Sequence, residues 1–265
     1  MRRIAAVTIV TLVAFIVCWV LFRDLNDRDY GRFADDVAGH GLRNVVSNAG
    51  FLIVGIAGFF TVRRKEAGDD YAAALTFFAG VTLTAFGSAW FHLQPLIDGQ
   101  LNRDRLLLDR LPMTIAFAAL LALVFRDRVF RRHHAWLLPL LTVLGVATLM
   151  FWYYECAKCG SLLPYAFFQG YTAAGTLLLL ALPRPTYTGA RWVLAAVVFF
   201  GLAKVCELRD RQFFDAMQFG GHPLKHVAGA LAALMILLWL MRRRRSRFAN
   251  DEGTTGRPPA GRPGR

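Results

Sequence analysis

Eight long apolar segments limit what this chain can fold into more than any other feature of its sequence. Most reach the length of about 17 to 20 residues that spans the hydrocarbon core of a bilayer. Backbone groups in lipid need internal hydrogen-bond partners, and the alternation typical of barrel strands is absent, so we expect helices. The segments run from Ile4 to Phe22, Val45 to Val62, Ala72 to Phe91, Leu106 to Phe125, Ala135 to Tyr153, Tyr165 to Leu182, Trp192 to Cys206, and Pro223 to Met241.

The composition supports an all-α integral membrane protein. Of 265 residues, 56% are hydrophobic, and the mean hydropathy is +0.41. The net charge of +13 raises the question of nucleic acid as a partner. The arginines, however, stand between apolar segments and do not form one basic face, so we predict no nucleic-acid binding. The oligomeric state is left open by the sequence.

The charges between the segments predict an orientation. With Met1 in the cytoplasm, the inside loops and both termini hold 19 of the 31 Lys and Arg residues and six acidic residues. The outside loops and helix ends hold the other 12 basic residues and 12 acidic residues. This positive-inside distribution predicts two cytoplasmic termini. Because the chain is rich in Ala, Arg and Leu, we expect a multi-pass protein of a bacterial inner membrane.

The two ends of the chain differ from its centre. The start, MRRIAAVTIVTLVAFIVCWVLF, has the basic beginning of a secretory signal. It is longer than a typical signal core, and no small-residue cleavage site precedes Arg23, so a retained anchor helix is favoured over a cleaved signal. We predict an anchor helix over residues 1–23, a helical bundle over 24–241, and a basic, disordered cytoplasmic tail over 242–265.

Polar residues from three segments are predicted to meet near the outer face. His222 and His226 stand four residues apart at the head of the last apolar segment, on one helix face, where they could grip one metal ion. The third segment ends with Ser88 and His92, also four apart. Asp109 lies just inside the outer end of the fourth segment. The predicted topology brings these five residues to one membrane depth.

These residue types in combination indicate a catalytic zinc site. Three imidazoles with an open fourth position are a typical arrangement, in which zinc lowers the pKa of bound water to about 7 and polarises a carbonyl. We predict His92, His222 and His226 as the zinc ligands. Asp109 is predicted as the general base or an orienting group, and Ser88 as the donor to the oxyanion. The competing interpretation of each histidine is a buried packing residue.

Three stretches carry a resemblance to a known family. FGSAWFHL, LLLDRLPMTIAF and GGHPLKHVAGAL resemble the signature motifs of the alkaline ceramidase family, and SNAGFLIVGIAGF is similar to its first core helix. The family belongs to a wider group of seven-helix membrane hydrolases that includes the progestin and adiponectin receptors. The similarity extends roughly from Tyr30 to Leu240.

The resemblance implies a seven-helix transmembrane bundle, to which this chain adds one N-terminal helix. It implies a zinc amidase that cleaves the N-acyl bond of ceramide or a ceramide-like membrane lipid to a fatty acid and a long-chain amine. The implied zinc ligands are His92, His222 and His226, with Ser88 and Asp109 beside the metal-bound water. The alternative is a receptor-like or structural bundle whose zinc site is closed and non-catalytic. A proton-relay transporter is a more distant alternative.

Calcium is a second cofactor that the resemblance raises. The eukaryotic ceramidases bind Ca²⁺ through an N-terminal acidic cluster, and the equivalent stretch here, RDLNDRDYGRFADD, is acidic. Gly41 stands where one family carboxylate is expected, so calcium is expected less than zinc. Ceramide is uncommon in bacteria, so another N-acyl lipid is a candidate for the physiological substrate.

Two further groups of residues carry weaker predictions. Cys156 and Cys159 form a CAKC sequence that could be a disulfide in an oxidising compartment. Four acidic residues at outer helix ends could orient substrate head groups or the histidines, although solvated interfacial charges are the favoured interpretation. These four are Glu155, Glu207, Asp210 and Asp215.

Overall fold

Each of the eight apolar segments is helical over most of its length in the computed structural model. The structure describes residues 2–22, 40–63, 67–98, 100–129, 135–154, 163–183 and 185–246. The elements are α1 (Arg2–Phe22), α2 (His40–Ser47), α3 (Ala49–Thr61), a 3₁₀ turn (Gly68–Asp70), α4 (Tyr71–Leu93), β1 (Leu96–Ile97), β2 (Gln100–Leu101), α5 (Arg103–Arg128), α6 (Leu137–Tyr154), α7 (Leu163–Leu180), α8 (Ala190–Leu208), α9 (Asp210–Met217) and α10 (Gly221–Arg242).

The predicted class, an all-α membrane protein, is confirmed. Five helical segments among the described residues are long and apolar enough to cross a membrane, and large apolar side chains point outward, such as Ile53 (68% exposed) and Phe60 (78%). The count of seven helices plus one remains a prediction. The five segments are Gly41–Thr61, Gly68–Leu93, Arg103–Arg128, Leu137–Tyr154 and Gly221–Arg242.

Some predictions fall outside the described residues. The CAKC cysteines, Cys156 and Cys159, lie there, as do Glu155, the acidic stretch considered for calcium, and residues 247–265 of the tail.

Within the described residues, α1 packs against α7. Phe15 meets Phe167 edge to face with ring centroids 5.2 Å apart, and the Thr11 hydroxyl lies 3.2 Å from the Tyr171 hydroxyl.

The close approach of α4 to α5 brings two predicted site residues together. These helices pack along each other, and α8 packs along α10. A Cβ atom added at Gly87 would lie 2.9 Å from the carbonyl carbon of Leu108, closer than real Cβ contacts. Glycine is therefore required for this approach of two backbones, as at other small-residue crossings in membranes. The neighbours in sequence, Ser88 and Asp109, are both buried at this crossing.

The other end of α4 is tied down by buried ion pairs. The Asp70 side chain is 1% exposed and lies 2.7 Å from a guanidinium nitrogen of Arg126 and 2.7 Å from one of Arg243. A buried carboxylate needs such pairing, and this one joins the start of α4 to the ends of α5 and α10. Just after α10, Arg245 forms a β-bridge with Tyr187, which precedes α8.

A short hairpin connects α4 to α5 at the opposite end. The strands β1 and β2 pair antiparallel, with Leu96 opposite Leu101 and Ile97 opposite Gln100. The Asn102 side chain then caps α5 by accepting a hydrogen bond from the Arg105 backbone at 3.3 Å. The hairpin occupies the longer loop between His92 and Asp109 that the sequence indicates, and its residues line the cavity described below.

Candidate metal site and cavity

Three histidines meet at the junction of α4 and α10. His92 is in the last turn of α4, and His222 and His226 occupy the first turns of α10. All three are buried, and one ligating atom from each lies within 4.8 Å of the others. His222 Nε2 is 3.2 Å from His92 Nε2. Three imidazole nitrogens this close together and out of water form a set that could hold one metal ion.

The Ser47 hydroxyl indicates which nitrogen of His226 carries the proton. Ser47 Oγ donates to the Asn44 carbonyl at 2.9 Å and lies 2.7 Å from His226 Nδ1. A hydroxyl has one proton, so Ser47 must accept from Nδ1–H. The neutral ring then keeps its Nε2 lone pair for a metal. Ser47 was not assigned a role from the sequence, because no spacing relates it to the histidines.

Asp210 supports His222 from the short helix before α10. Its Oδ1 accepts a hydrogen bond from the His222 backbone N–H at 2.8 Å. Asp210 is only 7% exposed, so the interpretation of this residue as a solvated charge was wrong. The reason is that α9 folds back over the start of α10, whose first N–H groups need acceptors. Asp215, at 60% exposure of its side chain, is solvated as expected.

Ser88 and Asp109 line the same cavity as the three histidines. Ser88 Oγ lies 3.5 Å from His226 Nε2. Asp109 is 8% exposed, and its buried Oδ1 has no hydrogen-bond partner among the described residues. Asp109 is not one of the side chains whose ligating atoms cluster within 4.8 Å. The structure thus brings all five predicted residues to one cavity, while their individual roles stay predictions.

The cavity is large and mostly apolar away from the histidines. Its volume is about 600 Å³, within the range of ligand sites. One part of its wall holds the polar residues described above. Most of the remainder consists of aliphatic and aromatic side chains, among them Phe117, Leu120, Val197, Phe200 and Ile236.

A group of charged side chains forms another part of the wall. Lys204 Nζ lies 2.8 Å from Glu207 Oε2, and Lys225 Nζ lies 3.0 Å from Glu207 Oε1. Lys225 Nζ is also 2.8 Å from His222 Nε2. The Glu207 side chain is 8% exposed, so its interpretation as a solvated charge was wrong as well. Charged residues within an apolar segment are the signal that could have identified the two lysines.

The fold and the site together define a helical membrane protein with three buried histidines, which could hold a metal ion, at one end of an apolar cavity. Comparison with known families agrees, because the ceramidase family model matches residues 41–247. The chain belongs to the ceramidase family. Membership implies a hydrolase that acts on the amide of ceramide, a lipid substrate and a membrane location. Searches of curated proteins and of solved structures gave no match.

Proposed function

We propose that this protein is a zinc-dependent intramembrane amidase. It hydrolyses the N-acyl bond of ceramide or a ceramide-like lipid to a fatty acid and a long-chain amine. The observation that carries the proposal is the buried cluster of three histidine nitrogens within 4.8 Å of one another, at the head of an apolar cavity that also contains Asp109.

The donor set fits zinc in particular. Neutral imidazoles are preferred zinc ligands, and the tautomer of His226 leaves its Nε2 available. His92, His222 and His226 are the proposed ligands. Bound there, zinc would supply a Lewis acid and lower the pKa of a water ligand to about 7. The calcium prediction rests on residues outside the described part of the chain and stays untested.

The roles of Asp109 and Ser88 follow from their positions on the cavity wall. Asp109 takes a proton from the attacking water, and its unpartnered Oδ1 supports this role. The water oxygen adds to the carbonyl carbon, and the Ser88 hydroxyl donates to the oxygen that becomes negative. The C–N bond then breaks, and the leaving amine takes the proton from Asp109. The apolar wall holds the acyl chain and keeps bulk water out.

The alternative is a receptor-like or structural bundle with a non-catalytic zinc site. Such a site normally has four protein ligands, so Asp109 would have to bind the metal directly. The absence of Asp109 from the described cluster of ligating atoms supports an open coordination position. X-ray absorption of the zinc-loaded protein separates the two, because three nitrogen ligands plus a water support the enzyme and a carboxylate in place of water supports the alternative.

We further propose an orientation with both termini in the cytoplasm of a bacterial cell and the histidines near the outer face of the inner membrane. The basic residues at the far end of the bundle, such as Arg126 and Arg243, support this orientation. The proposed domains are an anchor helix over 1–23, the bundle over 24–241 and a basic tail over 242–265. Labelling single cysteines introduced at each end of the bundle, in intact cells, tests the orientation.

Zinc content and amide hydrolysis of the purified protein in detergent test the proposal. We expect about one zinc per chain and release of fatty acid from ceramide or another N-acyl lipid. His226→Ala should lose both. Asp109→Asn should keep zinc and lose rate by about 100-fold or more, the usual contribution of a general base. Zinc without hydrolysis of any lipid would favour the structural alternative, and absence of zinc would contradict the proposal.

A further inference from the structure

Two lysines in the cavity wall share one carboxylate. Lys204 and Lys225 contact opposite oxygens of Glu207, at 2.8 and 3.0 Å. The Lys225 side chain is 18% exposed and that of Glu207 is 8% exposed, so this contact lies largely out of bulk water. Two ammonium groups and one carboxylate leave a net charge of +1 next to the histidines.

Lys225 cannot keep both of its contacts when a metal is bound. Its Nζ lies 2.8 Å from His222 Nε2, the same ring nitrogen that is proposed to bind zinc. That nitrogen has one lone pair, which a metal and an ammonium group cannot share. In the zinc-loaded protein Lys225 therefore keeps Glu207 and has a donor to offer to another acceptor in the cavity.

The charges of the whole cavity wall also favour an anionic ligand. Two acidic side chains line it, Asp109 and Glu207. Four basic side chains line it, Arg103, Arg110, Lys204 and Lys225. The larger number of basic side chains on the wall favours an anionic ligand. Ceramide has no ionisable group and supplies no such anion.

On the basis of the proposed amidase function, we infer that Lys204 and Lys225 bind an anionic group of the substrate. The preferred substrate is then an N-acyl lipid that carries a carboxylate or a phosphate close to the amide. The anionic group lies close to the amide because Lys225 touches His222, a proposed ligand of the metal that acts on the carbonyl. The acyl chain occupies the apolar part of the cavity.

Binding of matched lipids tests this inference separately from hydrolysis. N-palmitoylglycine and its methyl ester differ only in the negative charge, and palmitoyl ceramide 1-phosphate and palmitoyl ceramide form a second pair. The dissociation constant of each is measured by tryptophan fluorescence with the full-length, zinc-loaded protein in neutral detergent. We expect the charged member of at least one pair to bind about tenfold more tightly, as one charge-assisted hydrogen bond allows. Which pair shows the difference identifies carboxylate or phosphate.

Variants at Lys204 and Lys225 test whether these lysines cause the tighter binding of the charged lipid. Lys204 contacts the Glu207 carboxylate and is not one of the proposed metal ligands, so Lys204→Met should remove most of the advantage of the charged lipid, whereas Lys204→Arg should retain it. Arg211→Met is the matched control, because Arg211 is exposed and is not part of the cavity wall. Lys225→Met should act like Lys204→Met, with its zinc content measured because Lys225 contacts His222.

The outcomes separate the inference from the proposed function. Equal binding of the acid and its ester, and of the phosphate and ceramide, would overturn the inference even if ceramide is hydrolysed. An equal loss of preference in Arg211→Met would overturn it too, since the attraction would belong to the surface in general. Preference for the charged lipid without hydrolysis of any lipid would support the anionic site and contradict the amidase. The comparison of lipids on the unmutated protein decides the matter if a variant fails to fold.

Discussion

Replacing Ser47 with alanine removes a hydrogen-bond acceptor of the His226 ring. Ser47 Oγ accepts from His226 Nδ1 at 2.7 Å while it donates to the Asn44 carbonyl. Without the hydroxyl, the Nδ1–H loses this acceptor, and the tautomer with the proton on Nε2 becomes accessible. That tautomer cannot bind a metal through Nε2, so the variant must use part of its binding energy to select the competent form.

The expected effect of Ser47→Ala on zinc affinity is a loss of about 10- to 100-fold, the range for hydrogen bonds that orient metal-binding histidines. This corresponds to about 1.4 to 2.8 kcal/mol. The free energy of unfolding should change less, by about 1 kcal/mol, because only one net hydrogen bond of a partly buried side chain is lost. The metal affinity and the stability are thus expected to respond differently.

Competition with a chromogenic chelator measures the zinc affinity of the detergent-solubilised protein, and thermal unfolding without zinc measures the stability. Ser47→Thr keeps a hydroxyl at the same position and is the matched control, so it should retain most of the affinity. Unchanged affinity in Ser47→Ala would refute the argument that this hydroxyl sets the tautomer. An equal loss in the threonine variant would attribute the effect to packing.

Three further perturbations give distinct outcomes. Gly87→Ala should lower both thermal stability and activity, because the new methyl group meets the Leu108 carbonyl and separates α4 from α5; circular dichroism melting and hydrolysis of the same preparation check this. Asp70→Asn should destabilise the fold by about 3 to 5 kcal/mol by leaving Arg126 and Arg243 without their buried partner, yet leave zinc content unchanged. Removing zinc with a chelator should lower the melting temperature, since zinc binds the folded state, and adding zinc but not magnesium should restore it.

The helices and the histidine cluster were predictable from the sequence because both follow from one-dimensional patterns. An uncharged run of sufficient length gives a helix in lipid wherever it occurs. The spacing of His222 and His226 gives a shared helix face, and counting the spans puts His92 at the same end. None of these steps requires the rotation of a helix about its axis or the identity of its neighbours.

The partners of the histidines were not predictable in this way, because they depend on helix rotation and on local breaks. The segment from Val45 to Val62 lies within one helical span, Gly41–Thr61, which has a break at Asn48 between the end of α2 at Ser47 and the start of α3 at Ala49. The side chains of Ser47 and Asn48 both donate to the Asn44 carbonyl, at 2.9 and 2.8 Å, and thus compete with the backbone donors of a continuous helix. This break is where Ser47 reaches His226.

The burial of Glu207 in the cavity was not predictable from the sequence either. Its position near the end of an apolar segment is typical of a charge at the membrane surface, and the sequence offers no reason to assign it elsewhere. In the structure the cavity extends to this level, and the carboxylate faces the two lysines inside it. A helix end can therefore be at the interface on its outer side and in a binding cavity on its inner side.

A metal ion bound by the three histidines would link two helices of the bundle. His92 belongs to α4, and His222 and His226 belong to α10, so a bound ion would connect two helices that are far apart in the chain. The pair α2 and α3 packs against both of them. Ser47 is the last residue of α2, which packs against α4 and α10, and its hydroxyl also forms the hydrogen bond to His226. The far ends of α4 and α10 are joined independently through Asp70, about 34 Å away along the 23 residues of α4. The ion-pair cluster therefore joins α4 to α10 at the ends away from the histidines.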